Sequence, residues 1–306
     1  MAMFKIKVER LGTALSTSMP HMRERLYQYA LLARFHQPIG ALLLLWPTLW
    51  ALWLAAEGMP DLGILFIFVA GVFITRGVGC VINDIADREF DRHVERTRER
   101  PLVTGKVRLR EALFLFFSML AVALVLVSFL NILALKLSLI GLALAVSYPF
   151  MKRHTYLPQV YLGLAFGWGI PMAFAAQTNS VPSLAWLLFV ANILWTVVYD
   201  TLYAMVDRDE DIRIGVKSTA ILFEDDDRTF LAIFQGLFLL AMAFVGSRAG
   251  LGVLYYISIL FSGLLFAYQQ TLIKEREREE CFNAFLNNNW VGVGLFTGLV
   301  VDYWVI

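Results

Sequence analysis

Charge and sulfur are scarce in this chain, and each scarcity removes a class of explanation. Of 306 residues only 17% are charged while 59% are hydrophobic, so a soluble globular domain of ordinary composition is a poor fit. Cys80 and Cys281 are the only cysteines, too few for a disulfide framework, and no His or Cys stands near them at metal-ligand spacing. Basic and acidic residues nearly cancel, 26 against 25, which gives no sign of a nucleic-acid partner. No low-complexity linker marks a second domain, and 1–306 reads as a single domain. The basic, weakly apolar start lacks a short hydrophobic core with a cleavage site, so no removable signal peptide is expected.

Long apolar sequence is what the chain has in abundance. Nine stretches are each long enough to cross a hydrocarbon core about 30 Å thick as a helix. They run over 38–56, 62–82, 111–129, 131–150, 158–176, 183–206, 230–247, 250–270 and 286–305. The expected fold class is therefore all-α, a multi-pass transmembrane bundle of nine helices. With a cytoplasmic N-terminus, 23 of the 26 basic residues fall on the inner side, Lys136 and Arg248 fall outside, and Arg76 lies within a span. The positive-inside rule then makes 1–37 a cytoplasmic segment and puts the C-terminus on the outer side.

Such charge as exists gathers in two inner segments, 83–110 and 207–229, each continuing a span. In the first, Asn83, Asp87 and Asp91 are spaced four and four, so on a helix they line one face over two turns. Asp207 and Asp211 repeat that spacing in the second. Opposed across a bundle, the two faces make a carboxylate cage at the inner membrane boundary. Hard oxygen donors select Mg2+ bridging to phosphate rather than zinc, and His93 reads as a loop residue. Either cluster alone is equally well a solvated helix end. The pair is not, because clustered carboxylates near lipid repel unless a cation or substrate offsets them.

A phosphate ligand needs cations as well. Arg76 lies seven residues before Asn83, on the same face and inside the membrane, where an arginine is a functional candidate by default. Arg34, just before the first span, either snorkels or binds. Lys152 and Arg153, after Tyr148 and Pro149, serve equally as a topology signal or as phosphate partners, and Lys217 follows the second acidic cluster closely enough to reach a phosphate. The mixed run 274–280 reads as a solvated helix face. A transporter, with Arg76 and the acids lining an ion path, would need polar residues at mid-membrane depth, whereas the acids here gather at the inner edge.

The text around these residues is that of a known family. Arg76 through Asp84 to Asp91, then Arg96, Thr97, Arg100, Pro101, Leu102 and Gly105, resembles the first signature of the UbiA prenyltransferase superfamily. Tyr199, Asp200 and Thr201 through Asp207 to Asp211, with Gly215 to Ala220, is similar to the second signature as 4-hydroxybenzoate polyprenyltransferases carry it. Arg34 with Pro38 to Gly40, and Tyr148, Pro149, Lys152, Arg153, Pro158 and Gln159, also match, while His36 and Gln37 stand where a charged pair is expected. The resemblance implies a polyprenyl diphosphate donor, 4-hydroxybenzoate as acceptor, Mg2+ dependence and ubiquinone biosynthesis. It also implies a bacterial inner membrane with the active site on the cytoplasmic side, and no protein partner. Another aromatic acceptor, such as homogentisate or a naphthoate, is the runner-up.

Under that resemblance Asn83, Asp87, Asp91, Asp207 and Asp211 are the metal ligands, and the four aspartates with Arg76 carry catalysis. Arg34, Arg76, Asn83, Asp84, Tyr148, Lys152, Arg153, Asp200 and Lys217 bind substrates, Arg76 serving either the acceptor carboxylate or the diphosphate.

Overall fold

Helix follows helix with no strand between them in the computed structural model, which describes residues 22–92 and 97–305. The first 21 residues of the expected cytoplasmic segment, His93 and Arg96 lie outside the described residues. A short α1 covers 22–32. It is followed by α2 (Ile39–Ala56), α3 (Leu62–Asp91), α4 (Leu109–Ser128), α5 (Ile132–Met151), α6 (Pro158–Gly167) and α7 (Gly169–Thr178). The remainder are α8 (Ser183–Ile214), the one-turn α9 (Thr219–Leu222), α10 (Asp227–Ala249), α11 (Val253–Leu272) and α12 (Arg278–Val305). Among the described residues nine helical segments are long and apolar enough to cross a membrane, α6 and α7 counting as one span over Pro158–Thr178. The chain is an integral membrane protein.

That shared span breaks at Trp168 for a local reason. Pro171 has no N–H, so the carbonyl of Gly167 four residues earlier has no helical partner there. The spans pack in chain order, α2 on α3, α3 on α4 and so on through α8 to α10 and α11, and α12 closes the ring against α2. Because lipid gives little hydrophobic drive between helices, polar side chains help to hold the wall. Asn288 accepts from Trp195 Nε1 at 2.9 Å, Gln269 donates to Asn287 at 2.9 Å, and Gln270 donates to Gln235 at 3.0 Å. These links tie α8, α10, α11 and α12 together, away from the acids.

Two spans overshoot the bilayer. The 30 residues of α3 and the 32 of α8 extend to about 45 and 48 Å at 1.5 Å per residue, well beyond a hydrocarbon core of about 30 Å. The excess on each is its acidic end, so the helix continues as a rigid arm and keeps the one-face spacing. Likewise α12 begins at Arg278 rather than at 286, since backbone hydrogen bonding does not stop where the apolar run does.

The run 274–280 is largely exposed, as expected of a solvated face, but only 278–280 of it is helical. Residues 273–277 form a turn, and Arg276 forks onto the fully buried Asp227, with contacts of 2.8 to 3.1 Å. Its partner is almost fifty residues away in the chain, which local periodicity does not report.

Candidate active site

Between α3 and α8 the ring encloses a cavity of about 1120 Å³, at the upper end of the ~300–1,000 Å³ usual for small-molecule sites. Asn83, Asp84, Asp87 and Asp91 line it from α3, and Asp200, Asp207 and Asp211 from α8. Arg34, Arg76, Tyr148 and Lys152 line it too. The two acidic faces therefore meet across one space. The same cavity runs on between apolar side chains of α3, α4 and α5, Phe68, Leu120, Val127 and Leu142 among them, to a wall at Trp168 and Met172. One end is charged and the rest is greasy.

Each acid on α3 has a cation against it. Arg34 Nη2 donates to Asp84 Oδ1 at 2.6 Å, Arg100 Nη1 donates to Asp84 Oδ1 at 3.0 Å and to Asp91 Oδ2 at 2.6 Å, and Lys152 Nζ donates to Asp87 Oδ2 at 2.5 Å. These carboxylates are buried, Asp87 only 1% exposed, and a buried charge must be compensated. Burial pushes the Asp91 carboxyl above its ordinary pKa, with Arg100 opposing the shift. At Arg34 burial disfavours the charge, but the nearby Asp84 carboxylate outweighs it and the guanidinium is held more firmly protonated than usual. On α8, Asp207 faces Arg278 at 3.5 Å, and the same guanidinium reaches Glu210 at 3.3 Å.

Arg76 is packed tightly inside the bundle. A Cβ on Gly40 would stand 2.5 Å from its Nη2, so a larger residue at that point of α2 would push the guanidinium from its present place. Its other flank lies over the Phe166 ring, 5.8 Å from the centroid. Asp200 lines the cavity together with Arg76.

Two expected residues stand apart from the lining. Arg153 donates to the Ala86 carbonyl at 2.6 Å and comes within 3.8 Å of Asp87 from behind, while Lys217 rests its ammonium over the Tyr156 ring. Conversely, Arg100 and Arg278 hold cavity acids without having been singled out as site residues. Arg100 lay within the first signature, and its spacing of nine from Asp91 across a turn is no helical signal. Arg278 sits 71 positions after Asp207, with nothing local to mark the pairing. His36 and Gln37, the departure from the family pattern, are at the cavity mouth.

A carboxylate and amide donor set of this kind suits a hard divalent ion bound together with phosphate. Among the described residues no three His, Cys, Asp or Glu side chains converge closely enough to hold an ion by themselves, and the acids on α3 stand in acid–cation pairs. Asp87 Oδ1 nonetheless remains buried without a hydrogen-bond partner, with only the Arg153 guanidinium at 3.8 Å beside it. That orphaned oxygen fits a metal.

The model of the UbiA prenyltransferase family matches residues 44–292. This chain belongs to that family. The UbiA chain is 56% identical over 282 residues to the 4-hydroxybenzoate octaprenyltransferase of Alkalilimnicola ehrlichii, covering 92% of this chain and 96% of that one. It is 56% identical over 299 residues to the enzyme of the same name from Xanthomonas oryzae pv. oryzae, covering 98% and 99%. A UbiA homologue from Aeropyrum pernix K1, solved in its apo form, superposes with a TM-score of 0.76 at 28% identity over 86% of this chain and 97% of that one. A homologue from Archaeoglobus fulgidus bound to GPP and Mg2+ shares the fold, with a TM-score of 0.68 at 20% identity over 91% and 100%. The protein is thus a membrane-embedded enzyme of the prenyltransferase class.

Proposed function

We propose that this enzyme transfers a polyprenyl group from polyprenyl diphosphate to the ring carbon ortho to the hydroxyl of 4-hydroxybenzoate, as a step in ubiquinone biosynthesis. The observation that carries the reading is the continuity of the cavity, with acids and cations at one end and an apolar passage leading away from them. Relatives over half identical across nearly the whole chain bear the corresponding name. Single-domain organisation, a cytoplasmic N-terminus and segments 83–110 and 207–229 on the cytoplasmic side of a bacterial inner membrane belong to the same proposal, supported by the bias of basic residues.

Asn83, Asp87, Asp91, Asp207 and Asp211 would hold Mg2+ together with the diphosphate. The ion supplies neutralisation of the charge that grows on the leaving diphosphate oxygen. Lys152 and Arg100 stand beside Asp87 and Asp91, and Arg34 beside Asp84, as fixed cations aimed at the same developing charge where water is scarce. The allylic carbon–oxygen bond breaks with its electron pair leaving on diphosphate. The prenyl tail occupies the apolar passage, whose walls exclude water from the allylic cation. Arg76 binds the acceptor carboxylate, and Asp200 and Tyr148 bound the acceptor at the same depth. The ring carbon then forms the new carbon–carbon bond, and loss of its proton restores aromaticity.

The test is product identification by mass spectrometry, using membranes supplied with Mg2+, 4-hydroxybenzoate and prenyl diphosphates of mixed length. A prenylated 4-hydroxybenzoate substituted beside the hydroxyl is the expected product, and it disappears in Asp87→Asn and Asp207→Asn enzymes. Products only from homogentisate or a naphthoate, or full turnover in both variants, would contradict the proposal.

A further inference from the structure

Gly40 is a glycine that its own backbone does not require. It lies in the first turn of α2, and its φ is not in the left-handed region. Glycine within a helix is less stable than alanine by about 0.5–1 kcal/mol, and a residue that goes against local preference points to a demand from elsewhere in the fold. Here the demand comes from Arg76. A Cβ on Gly40 would stand 2.5 Å from Nη2, 2.6 Å from Nε and 2.9 Å from Cζ, and these are the three nearest atoms it would meet.

The order of those distances gives the orientation of the group. Guanidinium is planar and rigid. Two nitrogens that lie nearer than the carbon joining them mean that the Nε–Nη2 edge abuts Gly40, with Nη1 on the side away from it. Phe166 of α6 holds the same group, its ring centroid 5.8 Å from Cζ, a contact that contributes about 0.5–2 kcal/mol. Gly40, Arg76 and Phe166 all line the cavity. Arg34, Arg100 and Lys152 each hold an acid of α3 in a salt bridge, whereas among the described residues Arg76 is in none. Its Nη1 side is thereby left to a carboxylate that arrives with a ligand.

We infer that Gly40 is a positioning residue: bare of a side chain, it lets the Arg76 guanidinium seat its Nε–Nη2 edge on α2 and turn its Nη1 side to the carboxylate of the aromatic acceptor. This rests on the acceptor role proposed for Arg76. It makes α2, as well as α3, part of the device that selects a carboxylate-bearing acceptor.

The experiment measures equilibrium binding of 4-hydroxybenzoate to purified full-length wild-type, Gly40→Ala, Arg76→Gln and doubly substituted enzymes, each holding Mg2+ and an unreactive polyprenyl thiolodiphosphate. Affinity for that donor analogue and melting temperatures are measured alongside. Gly40→Ala is expected to weaken 4-hydroxybenzoate binding about tenfold, the scale of one hydrogen bond to a charged group. Donor-analogue affinity should stay unmoved and the melting temperature no lower than that of wild type. In the Arg76→Gln background, where the shorter side chain leaves room for the methyl group, Gly40→Ala should weaken binding no further, as for two residues acting through one contact. Wild-type acceptor affinity in Gly40→Ala, a tenfold loss that persists in the Arg76→Gln background, or an equal loss for donor analogue and acceptor with a lower melting temperature overturns the inference. If Arg76→Gln itself binds 4-hydroxybenzoate as wild type does, the acceptor role of Arg76 fails and the inference falls with it. A weakened Arg76→Gln beside an unaffected Gly40→Ala refutes the inference alone, so the two failures are distinguishable.

Discussion

Arg100 shows what single side chains do in this site. One guanidinium spans Asp84 and Asp91, seven residues apart on α3, and it is only 16% exposed. Removing one partner of a buried ion pair leaves the other charge uncompensated, which costs about 3 kcal/mol or more. Arg100→Ala is therefore expected to lower stability by about that amount and turnover by on the order of a hundredfold. Arg100→Lys restores the charge but not the fork that reaches both acids, and should fall between Ala and wild type. Thermal melting in detergent and product formation check the two effects. Wild-type melting and turnover in the Ala enzyme would show that the bridge is incidental.

At the scale of elements, the acids are legible in the sequence because helix geometry carries them there. A spacing of four survives as one face only if the helix continues past the membrane, and α3 and α8 do continue. What periodicity does not encode is the far partner. Arg276 and Arg278, in and just after the turn between α11 and α12, reach back to Asp227 and to Asp207 with Glu210. Lys217 is a second case, since its ammonium rests over the Tyr156 ring, a contact that its place after an acidic cluster does not report. Asp227, with Arg276 forked on it and Arg208 at 3.5 Å, staples that turn to the start of α10. Asp227→Ala should cost about 3 kcal/mol, because two cations then lose a buried counter-charge. A thermal shift of the purified enzyme tests this, and an unshifted melting curve would mean that the staple adds nothing.

Across the whole molecule, a closed ring of spans does two things that no one helix does. It brings two acidic arms, well over a hundred residues apart in sequence, to the same space, and it forms a passage lined by apolar side chains behind them. The break at Trp168 and the glycine at position 40 shape that passage from its far wall and its floor beneath Arg76. Orientation in the bilayer follows from where the basic residues lie, not from the packing.

The central claim is that both arms act on one diphosphate. It is tested most directly by the Mg2+-dependent binding of an unreactive polyprenyl thiolodiphosphate to wild-type, Asp87→Asn and Asp207→Asn enzymes. Each substitution alone is predicted to weaken binding at least about tenfold, as expected when a charge-assisted contact is lost on either side of a shared ligand. Wild-type affinity in either single variant would contradict the claim.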